Sequence, residues 1–208
     1  IPPSGGGGAV IFIAAADCTG HGVPGAMVSL VCSNALNRTV KEFGLRDTGK
    51  ILDKVTELVL ETFEKSGEDV KDGMDISLLS CKMTDGRWQM EWSGANNALW
   101  YIQNNEVIEI TANKQPIGKH DNRKPFTTHS IPLTDDRSPI TFYLFTDGYA
   151  DQFGGPKGKK FKYKQLEELL VASCQLSMEE QKKILEKTFD DWKGNLEQVD
   201  DVLVIGVR

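Results

Sequence analysis

The chain has 208 residues, 39% apolar and 26% charged, with a net charge of −6. That length carries one substantial core, the composition excludes wholesale disorder, and the acidic balance argues against a nucleic-acid partner, which needs a basic face. No apolar run approaches the roughly 18 residues that cross a bilayer and no signal-peptide pattern is present, so no membrane segment is expected. Four scattered cysteines (Cys18, Cys32, Cys81, Cys174) and three histidines give no zinc spacing, so a reducing, cytoplasmic setting is expected and any metal would be held by oxygen.

In chain order, residues 1–8 (IPPSGGGG) read as a linker, scar or loop stump outside a folded domain at 9–208. "AVIFIAAAD" is a short apolar β-run ending in Asp17. Pro24 suits the first turn of a helix, and Met27, Leu30, Val31, Leu36 and Val40 recur at helical spacing, predicting a helix over 24–43. A second amphipathic helix, about 49–65, carries Ile51, Leu52, Val55, Leu58, Val59 and Phe63 on one face. The middle is β-rich: "MDISLLSCKM", "RWQMEWSGA", "ALWYIQ", "EVIEI", "FTTHSIPL" and "ITFYLFTD", with a hairpin signal at Asp85-Gly86. Two helices follow, "KQLEELLVAS" and "SMEEQKKILEKTFDDWKG", the second with Ser177 as N-cap and Glu180 completing a capping box. "DVLVIGVR" ends the chain as a strand. Helices grouped outside a block of consecutive strands predict an α+β fold rather than βαβ. Trp88, Trp92, Trp100 and Trp192 are expected in core or strand-face positions.

Three acids stand at the ends of apolar β-runs. Asp17 precedes a Gly-rich turn, Asp147 lies in "LFTDGYADQFGG", and Asp200 and Asp201 precede the last strand. If those ends meet, several carboxylates converge and their repulsion needs cations. No cluster of Lys, Arg or His accompanies the motifs, so Mg²⁺ or Mn²⁺ is favoured over zinc. Two such ions could bridge a water and hold a phosphoryl group for in-line attack. Against this, Asp-Gly pairs at strand ends are common turns, and each acid taken singly reads as structural.

Taken together and in order, "DCTGHGVPGA", "DGMDISLL", "WSGANNALW", "KQPIG", "LFTDGYADQFGG" and "DDVLVIGV" resemble the type 2C (PPM) metal-dependent serine/threonine phosphatases, in their bacterial stage II sporulation E and RsbU-like branch. The resemblance covers nearly all of residues 10–208. It implies an α-β-β-α sandwich of two antiparallel sheets flanked by helices, in line with the α+β reading. It implies two Mn²⁺ or Mg²⁺ ions held by Asp17, the backbone carbonyl of Cys18, Asp147 and Asp200, with Asp201 standing where other branches have Asn. The implied reaction is hydrolysis of phosphoserine or phosphothreonine on a protein by metal-bound water, without a covalent intermediate. The implied substrate is a bacterial signalling protein of the anti-sigma-factor-antagonist type. A sensory or receiver domain elsewhere in the parent chain is also implied, and homodimerisation is left open. One departure stands out: the family's acid-bearing "GDFYW"-like segment has its place taken by "IPPSGGGGAV", with no acid before Asp17. Two other functions therefore remain in view, a catalytically silent binding module lacking a complete second metal site and a two-metal phosphoesterase for small molecules.

Further candidates each carry two readings. His21 serves proton transfer or shapes the Gly-His-Gly turn. Asp72 and Asp75 reach the cleft or close a loop, Asp75 being the stronger functional candidate. Asn96 and Asn97 contact substrate or form a turn. Lys159 and Lys160, with Lys157, Lys162 and Lys164, make a solvated face or attract an acidic phosphoprotein.

Overall fold

The computed structural model describes residues 9–20, 22–66, 73–84, 86–133 and 139–208. In chain order the elements are β1 (Val10–Cys18), α1 (Gly22–Lys41), α2 (Thr48–Ser66), β2 (Met74–Thr84), β3 (Arg87–Ala95), β4 (Leu99–Gln103), β5 (Glu106–Ile110) and β6 (His129–Ile131). Then come β7 (Thr141–Phe145), α3 (Gly148–Asp151), β8 (Phe153–Gly154), β9 (Lys159–Lys160), α4 (Tyr163–Ser173), α5 (Met178–Lys193) and β10 (Val204–Val207). The class is α+β with two antiparallel four-stranded sheets and accompanying helices, as expected. The elements divide between two compact units, the first built from residues up to 96 and 112–133, the second from 97–111 and 139–208. Residues 1–8, His21, Asp72 and Asp85, all singled out in the sequence, lie outside the described residues. No helix among the described residues is long and apolar enough to cross a membrane.

In the first unit the strand order is β1-β2-β3-β6. Thr84 pairs with Arg87 across the β2–β3 hairpin, and Gly86 lies at φ +76. The core is largely aliphatic. Ile51, Leu52, Val55, Leu58 and Val59 of α2 are buried with Met74, Ile76, Ile117 and Phe126, the face that helical spacing predicts. Helix α1 forms where the spacing placed one. Its buried stripe is Gly25, Val28, Cys32, Ala35 and Thr39, with Val31, Leu36 and Val40 half-buried against the core, while Met27 and Leu30 are 58% and 64% exposed. Several buried polar groups are paired: Trp92 Nε1 donates to Ser77 Oγ at 2.8 Å, and Thr48 and Ser93 share a 2.8 Å hydroxyl contact, while Thr39 Oγ1 is buried without a partner among the described residues. Trp88 takes a strand-face position on β3 and is 48% exposed. "FTTHSIPL" yields only three residues of strand, since Pro132 offers no N–H to continue the ladder.

In the second unit the order is β10-β7-β4-β5. Its core is aromatic: Trp100, Tyr143, Phe145, Tyr149 and Phe161 pack with Leu166 and Leu170 of α4, and with Phe189 and Trp192 of α5. The capping box forms as read, Ser177 accepting from Glu180 N and Glu180 accepting from Ser177 N. Helix α3 and the β8–β9 ribbon have no counterpart in the sequence reading.

Candidate functional site

In the first unit, β1 and β2 pair so that Asp17 stands opposite Asp75 and Cys18 opposite Met74. Two carboxylates facing each other across a ladder repel. Asp75 is supported by Asn96, whose Nδ2 donates to Asp75 Oδ1 at 2.8 Å. Asn96 sits in the left-handed region at φ 57, its N–H bonded to Asn113 O at 2.9 Å, so the amide is aimed by the backbone beyond β3. Thr19 ties the turn after β1 to β2, its N donating to Gly73 O at 3.0 Å and its Oγ1 accepting from Gly73 N at 2.9 Å. The turn then folds against α1 closely enough that a Cβ on Gly25 would lie 2.5 Å from Gly20 O. Cys18 turns its thiol toward α1. Hydrogen bonding with Cys32 and, more weakly, Ser29 brings it down to about 7 against the opposing effects of burial and the Asp17 charge. The Cys32 thiol is pushed up by the same bond and by its burial.

In the second unit, fully buried β7 delivers Asp147 two residues beyond its end, as the N-cap residue of α3. Its side chain makes no capping hydrogen bond, and Oδ1 is buried without a partner among the described residues. The carboxyl is raised above the ordinary range first by burial, then by the charges of Asp200 and Asp151, with Lys160 opposing. Asp147 and Asp200 are thus brought together as the sequence suggested. The segment holding Asp200 is clamped to β7. Thr146 N donates to Leu203 O at 3.1 Å, Thr146 Oγ1 donates to Asp201 O at 3.2 Å, and Leu203 N donates back to Thr146 Oγ1 at 3.1 Å. A Cβ on Gly148 would meet Asp201 O at 2.3 Å, so the close approach requires glycine there. Asp200 Oδ1 accepts from Asp201 N at 2.7 Å. Asp201 contributes its carbonyl to the clamp and leaves its side chain exposed.

Lys159 and Lys160 form β9, with Lys160 Nζ 2.8 Å from Asp151 Oδ2. Asn97 Nδ2 is buried without a partner among the described residues. Thr19, Thr146 and Gly148 went unnoticed in sequence although they flank the acids in "DCTG" and "TDG"; a hydroxyl or glycine beside each strand-end acid was the available signal.

A family model described as stage II sporulation protein E matches residues 7–208. The SiaA-PP2C domain of Pseudomonas aeruginosa is 25% identical over 97% of this chain and 81% of its own, with a TM-score of 0.80. The PP2C phosphatase domain, with a regulatory-domain fragment, of SpoIIE from Bacillus subtilis is 14% identical, covering 96% of this chain and 54% of its own at a TM-score of 0.69. The RsbU and RsbW domains of a Mycobacterium tuberculosis protein are 17% identical, covering 96% and 51% at 0.66. The last two show likeness of fold, and this chain spans about half the length of each. No curated protein matches the sequence.

Proposed function

The chain belongs to the stage II sporulation protein E family of PP2C-type phosphatase domains, and on that footing we propose that it hydrolyses phosphoserine or phosphothreonine on a signalling protein in a Mn²⁺- or Mg²⁺-dependent reaction. Phosphatases of this type are metal-dependent in general. The carrying observation is Asp147, a carboxylate with one buried, unpartnered oxygen beside the charge of Asp200. Oxygen-only donors with uncompensated negative charge fit a hard divalent cation. We assign the metal-holding role to Asp17, Asp147 and Asp200, with the Cys18 carbonyl next to Asp17 in the chain and Asp201 as an outer contributor. When bound, divalent ions supply positive charge to phosphoryl oxygens and lower the pKa of water.

The chain's own residues hold and aim. Thr146 and Gly148 set the distance between Asp147 and the Asp200 segment, and Asn96 orients Asp75 opposite Asp17. The substrate we propose is a small bacterial phosphoprotein of the anti-sigma-factor-antagonist type met in the cytoplasm, with sensory or receiver domains in the parent chain. A similar solved structure that joins RsbU and RsbW domains supports this choice.

The test is phosphate release from a phosphoserine protein with Mn²⁺, with EDTA, and after Asp17→Asn or Asp147→Asn. Activity that persists in excess EDTA, or full activity after either substitution, defeats the reading. The alternative reading is a silent binding module on the same fold. Calorimetric titration with Mn²⁺ separates the two, since two bound ions favour the enzyme and none favours the module.

A further inference from the structure

We propose that the β8–β9 ribbon and the first turn of α4 form a docking face for an acidic segment of a phosphoprotein; the identity of that occupant rests on the phosphatase reading above. Residues 152–164 carry Lys157, Lys159, Lys160, Lys162 and Lys164 and no Asp or Glu, in a chain whose net charge is −6. All five lysines are exposed. Lys160 is paired with Asp151, while Lys157, Lys159, Lys162 and Lys164 have no carboxylate partner among the described residues. Four of the five cations therefore stand without internal compensation in an acidic protein.

The patch is held on a firm frame. Phe153 pairs with Lys160 and Gly154 with Lys159. Gly155 N donates to Trp192 O at 2.8 Å and Lys162 N to Ala150 O at 2.7 Å. Phe161 is buried edge-on to Tyr149 and Trp192. A Cβ on Gly154 would stand 1.9 Å from Trp192 O, so the ribbon lies directly on α5. Ordering on binding is then confined to the lysine side chains.

Folding gives no reason for this charge. Lys162 is held at φ 74 and ψ 148, a region that residues other than glycine rarely adopt. It immediately precedes α4, whose first turn holds Lys164 and no acid, the wrong sign for a helix N-terminus. Helix α5 shows the favourable arrangement, with Glu179 and Glu180 in its first turn. An anion from outside supplies what α4 lacks. The face also has a direction, because Lys160 contacts Asp151 and acts on Asp147, placing the ribbon beside the short helix that opens at Asp147. A protein segment with Asp or Glu flanking its phosphoresidue matches both features. A duplex would call for basic charge spread along many phosphates, which a single short patch does not provide.

The test uses the 208-residue chain. Two fluorescein-labelled phosphoserine peptides of equal length, one flanked by Asp and Glu and one by Gln and Ala, are titrated in EDTA at low ionic strength and followed by anisotropy. The same titration uses a variant with Lys157→Gln, Lys159→Gln, Lys162→Gln and Lys164→Gln; Lys160 is kept because it contacts Asp151. Binding of the acidic peptide about tenfold tighter, with the preference lost in the variant and weakened near 150 mM salt, supports the docking face. Equal binding of both peptides, an unaltered preference in the variant, or tighter binding of a single-stranded DNA of the same charge overturns it. Should circular dichroism show the quadruple variant unfolded, Lys157→Gln with Lys159→Gln is read instead, and a partial loss of preference is the supporting result, no loss the opposing one. Since binding is read in EDTA, it does not depend on turnover. Absence of Mn²⁺-stimulated hydrolysis of p-nitrophenyl phosphate counts against the phosphatase reading and leaves the docking result standing.

Discussion

The two units each carry an acid past or at the end of an apolar strand, and they hold it in different ways. In the first, Asp17 sits within the β1–β2 ladder, where register alone places it opposite Asp75, and Asn96 supports that partner. In the second, Asp147 lies two residues beyond β7, and the close approach of Gly148 to Asp201 places it beside Asp200. A ladder residue inherits its position from many backbone hydrogen bonds. A residue past the strand end depends on a few tight contacts, and here it keeps a buried oxygen unpartnered. The second unit therefore carries an electrostatic deficit that a cation can relieve, while the first contributes an acid on a well-determined scaffold.

The sharpest break of this comparison is Asp147→Asn. Mn²⁺-stimulated phosphate release from a phosphoserine protein falls by on the order of 10²–10³-fold, the scale for losing one preorganised electrostatic group. The same variant in EDTA melts at a higher temperature, because a buried, repelled carboxylate has been removed; a lower melting temperature would refute the deficit. Next comes a pair of glycines. Gly148→Ala and Gly49→Ala place a Cβ 2.3 Å from Asp201 O and 2.5 Å from Phe126 O, respectively. Both lower stability by about 1–3 kcal/mol through overpacking, but only Gly148→Ala weakens Mn²⁺ binding in calorimetry.

Asn96→Gly keeps the left-handed backbone and deletes the amide that supports Asp75. Turnover drops by about tenfold, the low end for losing an outer hydrogen-bond partner of a metal site. The smallest effect is far from the acids. Ser177→Ala lowers stability by about 1 kcal/mol through loss of the cap and leaves turnover alone. Glu180 in the same capping box is held below the ordinary carboxylate value by its hydrogen bonds from Ser177. Its stabilisation is thus present above the ordinary value and lost as pH falls through the lower folded one. Melting temperatures of the wild type and Glu180→Gln should differ at neutral pH and converge in acid.

Much of the local structure was legible. Strands β3 and β5 occupy the residues read from alternation and turn signals, and the α5 capping box is the one spelled by Ser177 and Glu180. These elements are specified by neighbours in the chain. The spacing in α1 marked a helix but not which side turns inward, and packing selected Gly25, Cys32 and Ala35 while Met27 and Leu30 stay exposed. Trp88 was expected in a core or strand-face position and takes the second, half exposed near the start of β3. Around the candidate site the acids were visible as punctuation after apolar runs. Thr19 and Thr146 were not, since their partners Gly73 and Asp201 lie 54 and 55 residues away.

By itself the sequence determined the α+β class, the order of most elements, the family, and which acids deserve attention, because periodicity, caps, turn dipeptides and ordered motifs are properties of neighbours. Only the tertiary structure decided which side of α1 turns inward, that Asp147 keeps a buried oxygen without a partner beside Asp200, and that five lysines stand on a ribbon pinned to Trp192. Those outcomes depend on burial, close approach and charge contributed by distant segments, and no local pattern encodes such sums.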